Sequence, residues 1–178
     1  MSHPTRQALI EAGFALASLE SLNRITVDAI VKQAGVAKGT FYVHFTDRAA
    51  FLLALHAHFH KQLRSCIQQA MEGLPPGASR LRKGAEAYLD ECLKKRAVKA
   101  LLLEARSEAP IVEAAQERNR EFARIAHDDF QVLGWPDASS CARLFVVLVA
   151  EVALVEIETG QNEALRQALW SFARIEHA

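Results

Sequence analysis

Cysteine is scarce in this 178-residue chain, and its three copies, Cys66, Cys92 and Cys141, stand far apart with no C-x-x-C pair. That spacing excludes a disulfide framework and a clustered zinc site, and it fits reduced thiols in a cytoplasmic protein. No neighbouring pattern activates a thiolate, so a redox sensor is not expected. An excess of one charge is also missing: 21 basic residues balance 21 acidic ones. A domain that holds nucleic acid by bulk charge alone is thereby excluded. The longest apolar run, Leu144 to Ile157, is interrupted by Glu151 and falls short of the ~20 residues of a membrane span. No membrane is expected. Met1-Ser2-His3-Pro4 leads straight into an amphipathic pattern rather than a secretory leader.

Chemistry-bearing motifs are absent as well. The chain has no nucleotide-binding glycine loop, H-E-x-x-H, G-x-S-x-G or Cys/His cluster. His127-Asp128-Asp129 invites an acid–base reading, but adjacent helical residues point in different directions and do not converge on one proton. His56 and His60, at i and i+4, have no carboxylate or thiol at matching spacing, which makes them solvated or DNA-proximal rather than metal ligands. No enzyme, no cofactor and no metal is expected. Strand-like alternation between hairpin signals does not occur either. The fold class is all-α, with about nine helices.

What is present is a stretch from Thr26 to Phe45, T-V-D-A-I-V-K-Q-A-G-V-A-K-G-T-F-Y-V-H-F. Two short helical patterns flank Ala34-Gly35-Val36. Thr26 is a good N-cap for the first, Ile30 and Ala34 repeat at helical spacing, and Gly35 suits the left-handed stop. Val36, Phe41 and Phe45 plug the angle between them, giving a helix-turn-helix. With the two phenylalanines inward, Gly39 and Val43 point outward, flanked by Lys38 and Tyr42 on one side and Thr40 and His44 on the other. Those four polar side chains can donate to phosphates or base edges, and Val43 can touch a thymine methyl. Asp47 then caps a long helix that starts with Arg48. A cation there opposes the helix dipole, and an anionic partner would rationalise it.

These residues, I-V-K-Q-A-G-V-A-K-G-T-F-Y-V-H-F followed by T-D-R, resemble the tetracycline-repressor (TetR) family of bacterial transcription regulators. The resemblance covers roughly Leu9 to Leu55. It implies that Lys38, Gly39, Thr40 and Val43 face the major groove, and that Thr26, Tyr42, His44 and Arg48 anchor the DNA backbone. The chain departs from the family pattern at Val31, where alanine is usual, and at Ala17 and Ser21, where an aromatic residue and a glycine are common. Ala37 lacks the usual capping hydroxyl, at a cost of about 1 kcal/mol.

The first helix should start near Pro4-Thr5 and run to about Leu22, with Leu9, Ala12, Gly13, Leu16 and Leu19 inward. The helix from Asp47 carries Phe51, Leu55, Phe59, Leu63 and Ile67 and ends by Gly73-Leu74-Pro75-Pro76-Gly77. It begins in the DNA-binding part and ends outside it, so it is expected to act as a mechanical link. Helices over Ser79–Leu93 and Lys95–Arg106 follow, with Lys94-Lys95-Arg96 as a solvated corner. Pro110 opens another helix that ends at Gly134-Trp135-Pro136. Its Glu117–Arg124 segment, dense in alternating charge, should face water on one side.

Asp137 caps a helix to Thr159 that is apolar on every side over Leu144–Val149, and Asn162 caps a last one. Such a pair needs cover. Leu144, Leu148, Val152, Val155, Leu165, Leu169 and Phe172 are the candidate interface of a homodimer, which the resemblance also implies. Pocket candidates are the polar or aromatic groups amid apolar helices: Tyr88, Cys92, Arg106, Phe122, His127, Phe130, Trp135 and Glu151. The domains are 1–47, a helix-turn-helix DNA-binding domain, and 48–178, a helical ligand-binding and dimerisation domain. The expected function is a ligand-responsive transcription regulator, a repressor that binds a near-palindromic double-stranded DNA operator. Its small-molecule effector is expected to be apolar. The alternative is a helical small-molecule-binding or interaction protein with a vestigial helix-turn-helix.

Overall fold

The computed structural model describes residues 4–19, 24–105 and 109–175, and among them every regular element is a helix. In chain order these are α1 (Pro4–Ala17), α2 (Val27–Ala34), α3 (Lys38–His44), α4 (Arg48–Met71), α5 (Ala78–Lys94), α6 (Arg96–Glu104), α7 (Ala109–Val132), α8 (Ala138–Thr159) and α9 (Glu163–Ala173). The all-α expectation holds among the described residues. Contacts group the chain into two units, Met1–Lys61 with Ala97–Ala114, and Gln62–Arg96 with Ala115–Ala178.

In the first unit, α1, α2 and α3 pack on one another. Pro4 opens α1, where its missing N–H leaves nothing unsatisfied. Leu9, Ile10, Ala12, Gly13 and Leu16 form the buried face. Gly13 is required there, because a Cβ would lie 2.7 Å from Phe51 Cζ and 3.1 Å from Leu55 Cδ1. Leu19, expected on the same face, is 75% exposed. The helix stops at Ala17, so the helical period no longer governs its side chain. The expected extension through Ser21 to Leu22 lies outside the described residues.

On α4, Phe51, Leu55, Phe59, Leu63 and Ile67 are all buried, as their spacing predicted. The α4 histidines correct the sequence reading. His56 and His60 are buried rather than solvated, with ring centroids 4.2 Å apart, and His58 meets the edge of Phe14 at 5.4 Å. A helix packed on more than one side buries residues that lie off its main apolar stripe.

In the second unit, α5 packs on α8, and α8 on α9. Asp137 Oδ1 accepts the Ser140 N–H at 3.0 Å and starts α8. Gly160, at φ 83°, ends it, and Asn162 Oδ1 accepts the Leu165 N–H to start α9. α8 has two sides. Phe145, Val149, Val152 and Ala153 are buried, whereas Leu144, Val147 and Leu148 are exposed. By length and composition α8 is long and apolar enough to cross a membrane, which corrects the shorter run counted from the sequence. Its fully buried Glu156, however, takes the guanidinium of Arg166 at 2.7 and 2.9 Å, and Arg166 also pairs with Asp90 at 2.9 Å. The hydrogen bonds to Glu156 hold Arg166 charged, its pKa above the usual arginine range.

The inner stripe of α9 is Arg166, Leu169, Trp170 and Ala173. It lies slightly round the helix from the expected Leu165–Leu169–Phe172 face, so Phe172 is 74% exposed. Glu117 pairs in the open with Arg120 and Arg124 at 2.8 and 3.0 Å, so one side of this segment faces water, while Arg118, Phe122 and Ala123 on the other are buried. Lys95, placed at a solvated corner by the sequence, is instead half-buried and pairs with Glu91 at 2.9 Å.

Candidate nucleic-acid interface

The interface begins at the start of α2. Thr26 is extended (φ −88°, ψ 162°), and its hydroxyl accepts the Ala29 N–H at 3.2 Å. At the other end Gly35 is left-handed (φ 67°), and the Val36 N–H reaches back to the Val31 carbonyl at 3.0 Å, closing a tight helical stop. Ala37 opens α3 with no side-chain cap. Val31 is buried at the position where a smaller residue was noted as usual.

Three phenylalanines set the orientation of α3. Phe41, Phe45 and Phe51 have centroids 5.2 to 5.7 Å apart, and all three are buried. Each pair lies in the range of favourable aromatic contact, and Arg6 sits over the Phe45 ring at 5.1 Å. With that side fixed, the helical period turns Lys38, Gly39, Tyr42 and Val43 to the outside, Val43 being 78% exposed. Thr40 and His44 are half-buried at the flanks. A Cβ at Gly39 would meet nothing within 4 Å. The fold does not need glycine at this position, in contrast to Gly13.

Two charged groups frame this face. Lys38 Nζ lies 2.8 Å from the Asp28 carboxylate of α2, and both are exposed. The hydrogen bond to Asp28 raises the lysine pKa above its ordinary value. Arg48 Nε donates to the Ile25 carbonyl at 2.7 Å. The first residue of α4 thus clamps the chain just before the Thr26 cap. Asp47 Oδ1 accepts the Ala50 N–H at 2.8 Å and starts α4. The clamp gives Arg48 a structural task that its sequence position did not suggest.

The pocket candidates disperse within the second unit. Tyr88 and Phe122, edge to face at 6.0 Å, line an apolar cavity. Phe130 and Trp135 line a second hollow that also includes Phe145 and Phe172. Cys92 is buried away from both. His127 is half-buried beside Asp128 and lines a separate surface hollow with Arg124 and Arg143, and Glu151 is exposed. Neither is a buried charge. Arg106 lies outside the described residues. Sequence reading missed Asp129, which is fully buried and lines the first cavity. The signal was available, because Asp129 falls on the stripe Phe122–Ala126–Asp129 at helical spacing.

Among the interface candidates, Leu144, Leu148 and Phe172 are exposed, and Val155 and Leu165 are half-buried. Val152 and Leu169 have 8% and 4% of their surface left. Both are packed within the chain's own core.

A tight two-helix turn, with an aromatic core behind and a row of exposed donors in front, defines a DNA-binding module of the helix-turn-helix class. Residues 9–55 match the bacterial regulatory proteins of the tetR family. The whole chain is similar in fold to a transcriptional regulator from Rhodococcus sp. Rha1 (18% identity, 96% of this chain and 94% of that one, TM-score 0.78). It is also similar to regulatory protein TetR from Rhodobacter sphaeroides (21% identity, 97% and 99%, TM-score 0.73). A third likeness is to a transcriptional regulator from Aquifex aeolicus VF5 (17% identity, 96% and 98%, TM-score 0.70). At these identities the structural likeness speaks for the fold alone. Residues 9–55 thus carry a DNA-binding region like that of the tetR family, and the chain as a whole shares the fold of these regulators.

Proposed function

We propose that the protein is a cytoplasmic, effector-responsive repressor that binds a near-palindromic operator as a homodimer. The exposed strip of α3 carries this reading: Lys38, Gly39, Thr40 and Val43 enter the major groove, and Gly39, free of any internal steric demand, lets the helix come close. Thr26, Tyr42, His44 and Arg48 hold the phosphates, with the N-terminus of α2 adding its partial positive charge. One unit with balanced charge binds weakly. Two copies double the phosphate contacts and place their recognition helices ~34–36 Å apart, one turn of DNA.

The partner copy covers Leu144, Leu148 and Phe172, a large apolar surface for one chain to leave open. A small molecule bound in the second unit favours a different spacing of the recognition helices. It lowers operator affinity by its differential affinity for the two states, and α4 transmits the change.

The test is a salt-dependent gel shift on DNA upstream of the protein's own gene. Tyr42→Phe is expected to weaken binding to every sequence, while Val43→Ala changes base preference. If Tyr42→Phe altered preference and left overall affinity intact, the assignment of roles would be wrong. Phe172→Glu should sediment as a monomer and bind the operator about tenfold or more weakly.

A further inference from the structure

The cavity in the second unit has a chemistry that its shape alone does not explain. Its volume is about 60 Å³, and its walls are almost entirely carbon, with Met71, Tyr88, Phe122 and Val149 among them. Besides the Tyr88 phenol, its polar lining residues are the half-buried Asn119 and the fully buried Asp129. Asp129 Oδ1 is well served, accepting from Arg80 Nε at 2.7 Å and from the Gly77 N–H at 2.8 Å. Its Oδ2 is buried with no hydrogen-bond partner among the described residues. A buried acceptor without a donor carries a full desolvation penalty, of order 1–3 kcal/mol and more for a charged group. Native structures retain such groups where something else supplies the donor.

Charge accounting narrows the donor. Arg80, itself largely buried, already neutralises Asp129. An ammonium in the cavity would leave a net positive charge in a carbon-walled space, which is costly. A neutral O–H would complete the carboxylate without that cost. Size points to a moving part. The cavity is smaller than the ~150 Å³ that accommodates benzene, so a ligand of ring size must displace a side chain. Met71 is placed to yield: its Sδ occupies the space that a Cβ on Gly84 would claim, 2.8 Å away, and a methionine with three rotatable bonds repacks readily.

We infer that this cavity binds an apolar molecule carrying one neutral hydroxyl, whose O–H donates to Asp129 Oδ2 while Met71 swings aside. This assignment rests on reading the second unit as the effector-binding part. The probes are 4-methylphenol and its isostere 1,4-dimethylbenzene, titrated calorimetrically into the full-length protein. 4-Methylphenol should bind at least about tenfold more tightly than the hydrocarbon. Ala85→Leu, which fills the cavity without touching Asp129, should abolish binding of both, and Asp129→Asn should narrow the preference to under about threefold. Equal affinity for the two probes, or a preference that survives Ala85→Leu, overturns the hydroxyl assignment. No binding of either probe overturns the cavity as a ligand site. Tight, Asp129-dependent binding that leaves the gel shift unchanged supports the site and instead overturns its role as the effector site.

Discussion

The helix-turn-helix and the larger helical unit handle charge in opposite ways. In the N-terminal unit the charged groups of the helix-turn-helix stand at the surface: Lys38 and Asp28 pair in the open, above a core of three phenylalanine rings. In the larger helical unit, charge is taken inside. Glu156 and Asp129 are fully buried, each held by an arginine from another helix. An exposed ion pair contributes little to stability and can exchange partners. A buried pair fixes a geometry, and losing half of it leaves an uncompensated charge. The first arrangement suits a surface that must meet a polyanion; the second suits a helical frame that must hold its register.

The sharpest way to break this comparison is to remove one half of the buried pair. Glu156→Ala should cost up to about 3–5 kcal/mol, read as a large fall in the urea midpoint, because Arg166 keeps its charge in a buried site with only the half-exposed Asp90 left to pair it. The double substitution Glu156→Leu with Arg166→Met should recover most of the loss. A small effect of Glu156→Ala alone would show that water reaches the pair. Next in size is Gly13→Ala. The added methyl would press on Phe51, an aromatic ring with little freedom to move, so a loss of about 1–3 kcal/mol is expected.

The same substitution at Gly39 separates fold from function. No atom lies within 4 Å of the new methyl, and alanine favours a helix over glycine by about 0.5–1 kcal/mol. Gly39→Ala should therefore leave thermal stability equal or slightly raised while operator binding falls. Unchanged binding would remove Gly39 from the interface.

The sequence disclosed the N-terminal unit well because its determinants are local. A cap, a left-handed glycine and two phenylalanines four apart lie within twenty or so residues and suffice to orient α3. Arg48 shows where locality ends. Its bond to the Ile25 carbonyl joins residues 23 positions apart, and the spacing that suggested a phosphate contact contains no hint of that clamp. In the second unit the deciding contacts are longer still. Arg166 meets Asp90 across 76 positions, and Asp129 meets the Gly77 N–H across 52. Single aspartates in charged helical segments read as solvated faces, and only the helical stripe through Phe122 sets Asp129 apart. The histidines of α4 were misplaced for a related reason. A period assigns one face, and packing on a second face is a property of partners elsewhere in the chain.

The smallest effect belongs to the exposed pair. Asp28 raises the Lys38 pKa chiefly through its hydrogen bond. A raised lysine pKa contributes stability that is fully present below the unfolded value of about 10.5 and is lost only as pH rises through the folded one. Between pH 6 and 9 the pair therefore gives unfolding no pH dependence, and Asp28→Asn should lower the urea midpoint only slightly, because the pair is exposed. DNA binding should respond differently. Asp28 places a negative charge beside a face proposed to meet phosphates, and it competes for the lysine that would meet them. Removing it frees Lys38 for the polyanion, so fluorescence anisotropy across a salt series should show tighter binding and a salt slope steeper by about one per half-site. A slope that stayed the same would place Lys38 and Asp28 away from the DNA, and the major-groove assignment of the first turn of α3 would fall with them.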